Sequence, residues 1–167
     1  MPDDPLRDFN TRPEASAQEA LCACNAAPSF AAQVAAGRPY ASAEALVARA
    51  GEVSRALPWA EVQAALAAHP RIGDRPQGSS PEATASRSEQ SGMTTAADSV
   101  RAAIIEGNRA YEDRFDQVFL IRAAGRSAEE MLAELERRLR NSPAQEQAEV
   151  TEQLAQITAL RVQGLLA

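Results

Sequence analysis

Apolar residues recur along this chain at three- and four-residue steps, the spacing of one helix face. The longest stretch runs from about Thr95 to Phe115, where Val100, Ala103, Ile104, Asn108, Tyr111 and Phe115 trace one stripe. Met131, Leu132, Leu135 and Leu139 form a second, opened by Ser127-x-x-Glu130 at capping-box spacing and ended near Asn141. Val150, Leu154, Ile157 and Leu160 form a third, behind Ser142-Pro143. Nearer the N-terminus, residues 1–9 read as a loose or docked arm. Thr11-x-x-Glu14 reads as another capping box, with a helix to about Asn25 carrying Ala17, Ala20, Leu21 and Cys24. Pro28 opens a short helix through Ala36, stopped by Gly37 and Pro39. Ser42 opens the next, with Ala43, Leu46, Ala50 and Val53 on one face and Gly51 as its weak point. Pro58 starts a helix that carries Trp59, Val62, Ala65 and Leu66, and Ser80-Pro81-Glu82 starts another. Residues 116–122 are apolar but too short to show a period, and read as a strand-like or irregular pass through the interior.

These patterns predict an all-α chain, a single compact helical-bundle-like domain of about eight helices over residues 1–167. Composition agrees. Apolar residues make up 45% but aromatics only 4%, and alanine and leucine supply most of the apolar mass. That mixture suits closely packed helices better than pleated sheets.

Charge narrows the partners. With 23 acidic against 17 basic residues and a net charge of −6, the chain lacks the basic footprint of a nucleic-acid binder. No apolar run reaches membrane-spanning length, and the N-terminus has neither a basic start nor an apolar core, so a cytoplasmic protein is expected. Cys22 and Cys24 lie two apart on one predicted helix and point to different faces. They suit neither a disulfide nor a zinc set, and read as ordinary helix residues with at least one buried.

The chemistry concentrates where periodicity stops. The helix from Pro58 runs into Ala68-His69-Pro70-Arg71-Ile72-Gly73-Asp74-Arg75-Pro76, which holds the only histidine of the 167 residues. Pro70 pushes His69 out of the α region, and Gly73 permits a positive φ. An imidazole on such a stiff loop is either a reactive group or a helix C-terminal cap, and spacing alone does not choose. Downstream, Ser86 and Glu89 or Gln90 share one face of the short helix after Ser80.

The two segments together carry a resemblance. HPRIGD at His69–Asp74 followed by S-x-x-E-Q-x-G at Ser86–Gly92 resembles the OHCU decarboxylases, which act on 2-oxo-4-hydroxy-4-carboxy-5-ureidoimidazoline in uric acid breakdown. The likeness extends to Tyr111-Glu112-x-Arg114-Phe115, Phe119-Leu120-Ile121, Gly125-Arg126-Ser127 and Leu160-Arg161, and so covers nearly the whole chain. Two positions depart from the family pattern. Arg122 stands where a small residue or cysteine is common, and Asp116 stands where Arg-Phe-Gly is common.

The resemblance implies a carboxy-lyase that forms (S)-allantoin and carbon dioxide without a cofactor. Its substrate carries a carboxylate and a hydroxyl on one ring carbon beside a C=N bond. The electron pair left by carbon dioxide can enter that imine, so no pyridoxal or thiamine sink is needed, and the chain shows no motif for either. His69 is then the proton carrier, being the side chain here that titrates near neutrality. Glu89 orients it or polarises the hydroxyl, and the exchanged roles stay open. Pro70, Ser86, Gln90 and the backbone of Phe119, Leu120, Ile121, Arg122 and Ala123 are the candidate substrate contacts, with Phe119 or Ile121 as an apolar wall beside the departing carbon dioxide. Arg161, by family match, grips the carboxylate. Arg122 either adds an anion contact or points to solvent, while Arg71 and Arg75 read as loop-surface charges. The resemblance also implies a homodimer.

Two other classes compete. A non-enzymatic helical interaction module would use the long stripes for dimer contacts. A metal hydrolase fails on inventory, since one histidine and no His/Asp/Glu cluster at ligand spacing give no metal site.

Overall fold

Serine side chains mark where the chain turns helical. Ser42 Oγ takes the Ala45 N–H, Ser80 Oγ the Ala83 N–H and Ser127 Oγ the Glu130 N–H, each at 3.1 Å. Each acceptor satisfies a donor that a first helical turn leaves unpaired. At Ser127 the Glu130 carboxylate also takes the Ser127 N–H at 2.9 Å, which completes the predicted capping box.

The computed structural model describes residues 4–74 and 80–167, apart from the side chain of Thr95. Arg75 and Pro76 therefore lie outside the described residues. Those described form nine α-helices, a 3-10 turn and no strand. The helices are α1 (Pro5–Thr11), α2 (Glu14–Cys24), α3 (Phe30–Ala35), α4 (Ala43–Arg55), α5 (Trp59–Leu66), α6 (Pro81–Glu89), α7 (Asp98–Phe115), α8 (Ala128–Arg138) and α9 (Pro143–Leu165), with the 3-10 turn at Ser91–Thr95. No helix among the described residues is long and apolar enough to cross a membrane.

The N-terminal arm departs from expectation by being helical. Asp4 Oδ1 takes the Leu6 and Arg7 N–H groups at 3.1 Å, and Pro5 sits at the first helical position. Pro13 then holds Arg12 extended (φ −65°, ψ 155°), so Thr11 ends α1 and caps nothing. Thr11 Oγ1 donates to the Arg7 carbonyl instead.

The chain gathers into two compact units, residues 4–65 with 154–167, and Leu66–Gln153. In the first, Phe9, Leu21, Phe30, Val34, Leu46, Val53, Val62, Ile157 and Val162 are buried. Buried Asn25 ties three helices together. Its Nδ2 donates to Ser54 Oγ (3.3 Å) and Thr158 Oγ1 (3.1 Å), and its Oδ1 takes the Ala27 N–H (2.9 Å). Cys24 is buried and Cys22 exposed, both as free thiols. Leu160 is exposed, contrary to the predicted stripe. Leu154, Thr158 and Val162 follow one another within about 40° on the buried face, and Leu160 stands about 160° around the helix from Thr158.

The second unit packs around Ile72, Met93, Ile104, Tyr111, Phe119, Ile121, Ala123, Met131 and Leu135. The expected stripe of α7 supplies Ile104, Asn108 and Tyr111, all buried. The ambiguous pass after α7 is irregular, not a strand, yet Phe119, Leu120, Ile121 and Ala123 are all buried. Asp116 opens it in the left-handed region (φ 53°, ψ 40°), the conformation a glycine would favour.

Candidate active site

The loop behind His69 is held by side chains from two helices. His69 is half-buried, and its N–H closes a last turn on the Leu66 carbonyl at 3.0 Å. Three residues on, the Ile72 carbonyl accepts from Asn108 Nδ2 (3.0 Å) while the Ile72 side chain enters the core. Gly73, at φ 95°, donates its N–H to Gln90 Oε1 at 3.1 Å. Arg71 forks onto Glu112 through Nε (2.6 Å) and Nη2 (3.1 Å), and its Nη1 lies 3.9 Å from Asp74. The Arg71 side chain is 52% exposed, so it is the surface charge expected, but one committed to α7. This bonding, led by the side-chain hydrogen bond that Arg71 donates to Glu112, raises the Arg71 pKa above its ordinary value.

The second motif occupies α6 and the turn that follows. Ser86 is buried, Glu89 and Gln90 are half-buried, and Gln90 caps the helix. The final Gly92 has a steric cause, because a Cβ there would stand 2.6 Å from the Arg126 carbonyl oxygen. Gly73 and Gln90 border a cavity of about 490 Å³, also lined by Asp74, Arg87, Met93, Thr94 and Arg101. Sequence reasoning passed over Arg87 and Arg101. Arg101 donates Nη2 to the Met93 carbonyl at 2.6 Å, and its Nε is enclosed with no hydrogen-bond partner among the described residues.

The Phe119–Ala123 backbone is irregular and buried, so its polar groups need partners from elsewhere. The Leu120 carbonyl takes Arg138 Nη1 at 2.6 Å, and the Arg122 N–H goes to Gln153 Oε1 at 2.8 Å. Arg122 itself is half-buried and its Nε lacks a hydrogen-bond partner among the described residues. Arg138 and Glu146 are each 1% exposed. Arg138 Nε donates to Glu146 Oε1 at 2.8 Å, Nη2 bonds the same oxygen, and the guanidinium lies 4.5 Å from the Phe119 ring centroid. Tyr111 donates to Glu146 Oε1 at 2.6 Å, and Asn141 Nδ2 to Oε2 at 3.0 Å. Burial, and then the bond to Glu146, push the Tyr111 phenol well above its ordinary pKa and keep it a donor.

The sequence did carry a signal for this pair. Arg138 stands seven residues after Met131 and three after Leu135, and Glu146 four before Val150, so each is a charge on an apolar stripe. Arg161 is half-buried on the part of α9 that belongs to the first unit, whereas every other candidate residue belongs to the second. Among the described residues, no three His, Cys, Asp or Glu side chains gather as metal ligands would.

The family model for OHCU decarboxylase matches residues 10–163, a span that runs through both units. The chain belongs to the OHCU decarboxylase family. Membership makes it a carboxy-lyase of uric acid degradation. The chain is 34% identical over 141 residues to 2-oxo-4-hydroxy-4-carboxy-5-ureidoimidazoline decarboxylase from Amia calva, covering 83% of this chain and 81% of that one. It is 32% identical over 145 residues to the uric acid degradation bifunctional protein TTL of Arabidopsis thaliana, of which it spans 45%. Among solved structures, that of an OHCU decarboxylase in the presence of (S)-allantoin superposes with a TM-score of 0.76 at 28% identity, over 89% of this chain and 97% of that one. An (S)-allantoin synthase shares the fold, with a TM-score of 0.72 at 18% identity over 96% of this chain and 54% of that one. For this OHCU decarboxylase the family motifs gain physical content. Glu112 holds the His69 loop through Arg71, and Tyr111 joins the buried pair behind the Phe119–Ala123 segment.

Proposed function

We propose that the chain decarboxylates OHCU to (S)-allantoin with His69 as proton carrier and Glu89 as the group that orients it and polarises the substrate hydroxyl. The C–C bond to the carboxylate breaks, its electron pair enters the adjacent imine, and the imine nitrogen takes up a proton from solvent. As the hydroxyl gives up its proton and becomes a carbonyl, a proton is delivered to one face of the former imine carbon, which sets the stereocentre. One hydrogen bond, Gly73 N–H to Gln90 Oε1, supports the reading most. It joins the loop that carries His69 to the helix end that carries Glu89.

Ser86, the Gln90 amide and the backbone of residues 119–123 hold the ureido and ring amides, with Pro70 beside the histidine. Phe119 and Ile121 supply an apolar wall, both being buried in the same unit. Such a wall favours loss of the carboxylate charge as neutral carbon dioxide forms. Arg161 and Arg122 are the cations assigned to the carboxylate. A bidentate guanidinium suits that group, though a grip that is too good in the ground state would slow the loss of its charge. The working form is a homodimer, a reading supported by the exposed Leu160 and Ile105 side chains. Light scattering on the purified chain tests it, and a monomeric mass overturns it.

The activity test uses substrate freshly made from urate and follows allantoin by circular dichroism. Rapid formation of one enantiomer is expected, with turnover lowered by roughly 100-fold or more in His69→Asn and in Glu89→Gln. Racemic product at the spontaneous rate, or wild-type turnover in His69→Asn, would overturn the assignment.

A further inference from the structure

The peptide groups on either side of Ile121 are each tied to a helix behind them. The Leu120 carbonyl is held by Arg138 Nη1 on α8, and the Arg122 N–H by Gln153 Oε1 on α9. A trans peptide is planar, with its C=O and N–H pointing opposite ways. Fixing the Leu120 carbonyl therefore turns the Ile121 N–H away from Arg138. Fixing the Arg122 N–H likewise turns the Ile121 carbonyl away from Gln153. The result is one donor and one acceptor on a single residue, both facing away from their anchors, a pair that complements an amide edge such as a ureido group.

The anchor on the Arg138 side is itself held rigid. Arg138 reaches the Leu120 carbonyl with one nitrogen while Nε and Nη2 are committed to Glu146. Glu146 is fixed in turn by Tyr111 and Asn141. The Phe119 ring lies against the guanidinium and meets the Tyr111 ring edge-on at 5.2 Å between centroids. A planar guanidinium holds its donors on three nitrogens in a fixed spread, a geometry that the compact ammonium of a lysine does not reproduce.

We propose that Arg138, Glu146 and Gln153 are positioning residues that set the direction of the Ile121 peptide groups for substrate, without touching it. The proposal rests on the reading of residues 119–123 as the substrate wall. It assigns the buried pair a role in specificity and rate beyond stability.

The test uses Arg138→Lys and, as a variant on a half-buried position that spares the core, Gln153→Met. Three readouts are taken on each folded protein: kcat and KM on fresh OHCU, the enantiomeric purity of allantoin, and the Ile121 amide resonance by ¹⁵N NMR. The expected result is a fall in kcat/KM of about 10- to 100-fold, the scale of a small misplacement remote from the chemistry, with lower enantiomeric purity and a displaced Ile121 amide. A lower melting temperature with unchanged kcat/KM, enantiomeric purity and Ile121 amide would mean a structural role alone and would overturn the proposal. If Arg138→Lys does not fold, Gln153→Met decides. If the wild-type chain does not turn over OHCU, the substrate reading falls by itself, and an undisturbed Ile121 amide in the variants would still defeat the positioning claim.

Discussion

Two irregular segments serve the candidate site, and they are held in opposite ways. The loop behind His69 hangs on separate polar tethers, from the exposed Arg71–Glu112 pair through the half-buried Gly73–Gln90 bond to the buried Asn108–Ile72 bond. The Phe119–Ala123 segment is locked from behind by a charge pair with no access to water. Exposed ion pairs contribute little and give way to salt and motion. A buried pair costs several kcal/mol to desolvate, but removing one partner strands the other, so the arrangement is hard to leave. The proposed site thus sets an adjustable His69 loop against a fixed Phe119–Ala123 segment.

The largest effect should come from breaking the lock. Glu146→Ala strands Arg138 in the core and is expected to cost about 3–5 kcal/mol in urea denaturation. A cost below about 1 kcal/mol would mean that the wall does not depend on the pair. At the entrance to the same segment, Asp116 holds a left-handed φ that costs a non-glycine residue roughly 1–2 kcal/mol, partly offset in glycine by chain entropy. Asp116→Gly should therefore stabilise by about 0.5–1 kcal/mol, seen as a raised melting temperature, and a lowered one would show that the aspartate side chain matters.

A pH test sharpens the rim of the lock. Glu149 lies 3.6 Å from Arg138 Nε, and Arg137, foremost among its neighbours, holds its carboxyl below the usual range. Arg137 does the same to Glu134. A depressed carboxylate lends stability above its unfolded pKa, and that stability is lost as pH falls through the lower folded value. Between about pH 5 and pH 3 the wild-type melting temperature should therefore fall further than that of Arg137→Gln. Parallel curves would remove these carboxylates from the acid limb. The smallest shift in stability is expected from Arg71→Ala, which should barely move the melting temperature yet slow turnover by loosening the His69 loop. Unchanged turnover would leave Gln90 and Asn108 as sufficient tethers.

Much of this was legible beforehand. Ser42, Ser80 and Ser127 announced their helices because a hydroxyl beside an unpaired N–H is a local matter. Thr11 misled because Pro13, inside the same tetrapeptide, forces Arg12 out of the helix. His69, Glu89 and Gln90 stood out through the motifs; Glu112 and Asn108 were quoted too, but their tethering roles were not read, because they act across long stretches of chain. Arg138 and Glu146 sat in plain view as charges on apolar stripes and went unread, since a stripe is scanned for what is apolar.

The missing side chain at Gly92 reaches further than its own turn. Its place is dictated by the Arg126 carbonyl, which belongs to a distant part of the chain. The last letter of S-x-x-E-Q-x-G is therefore not self-contained. Transplanted into another scaffold, the motif would be no portable cassette unless the chain around Arg126 travelled with it. A chain that matches the first six letters and bears a larger residue at the seventh should have rebuilt that second stretch, or have given up the pocket.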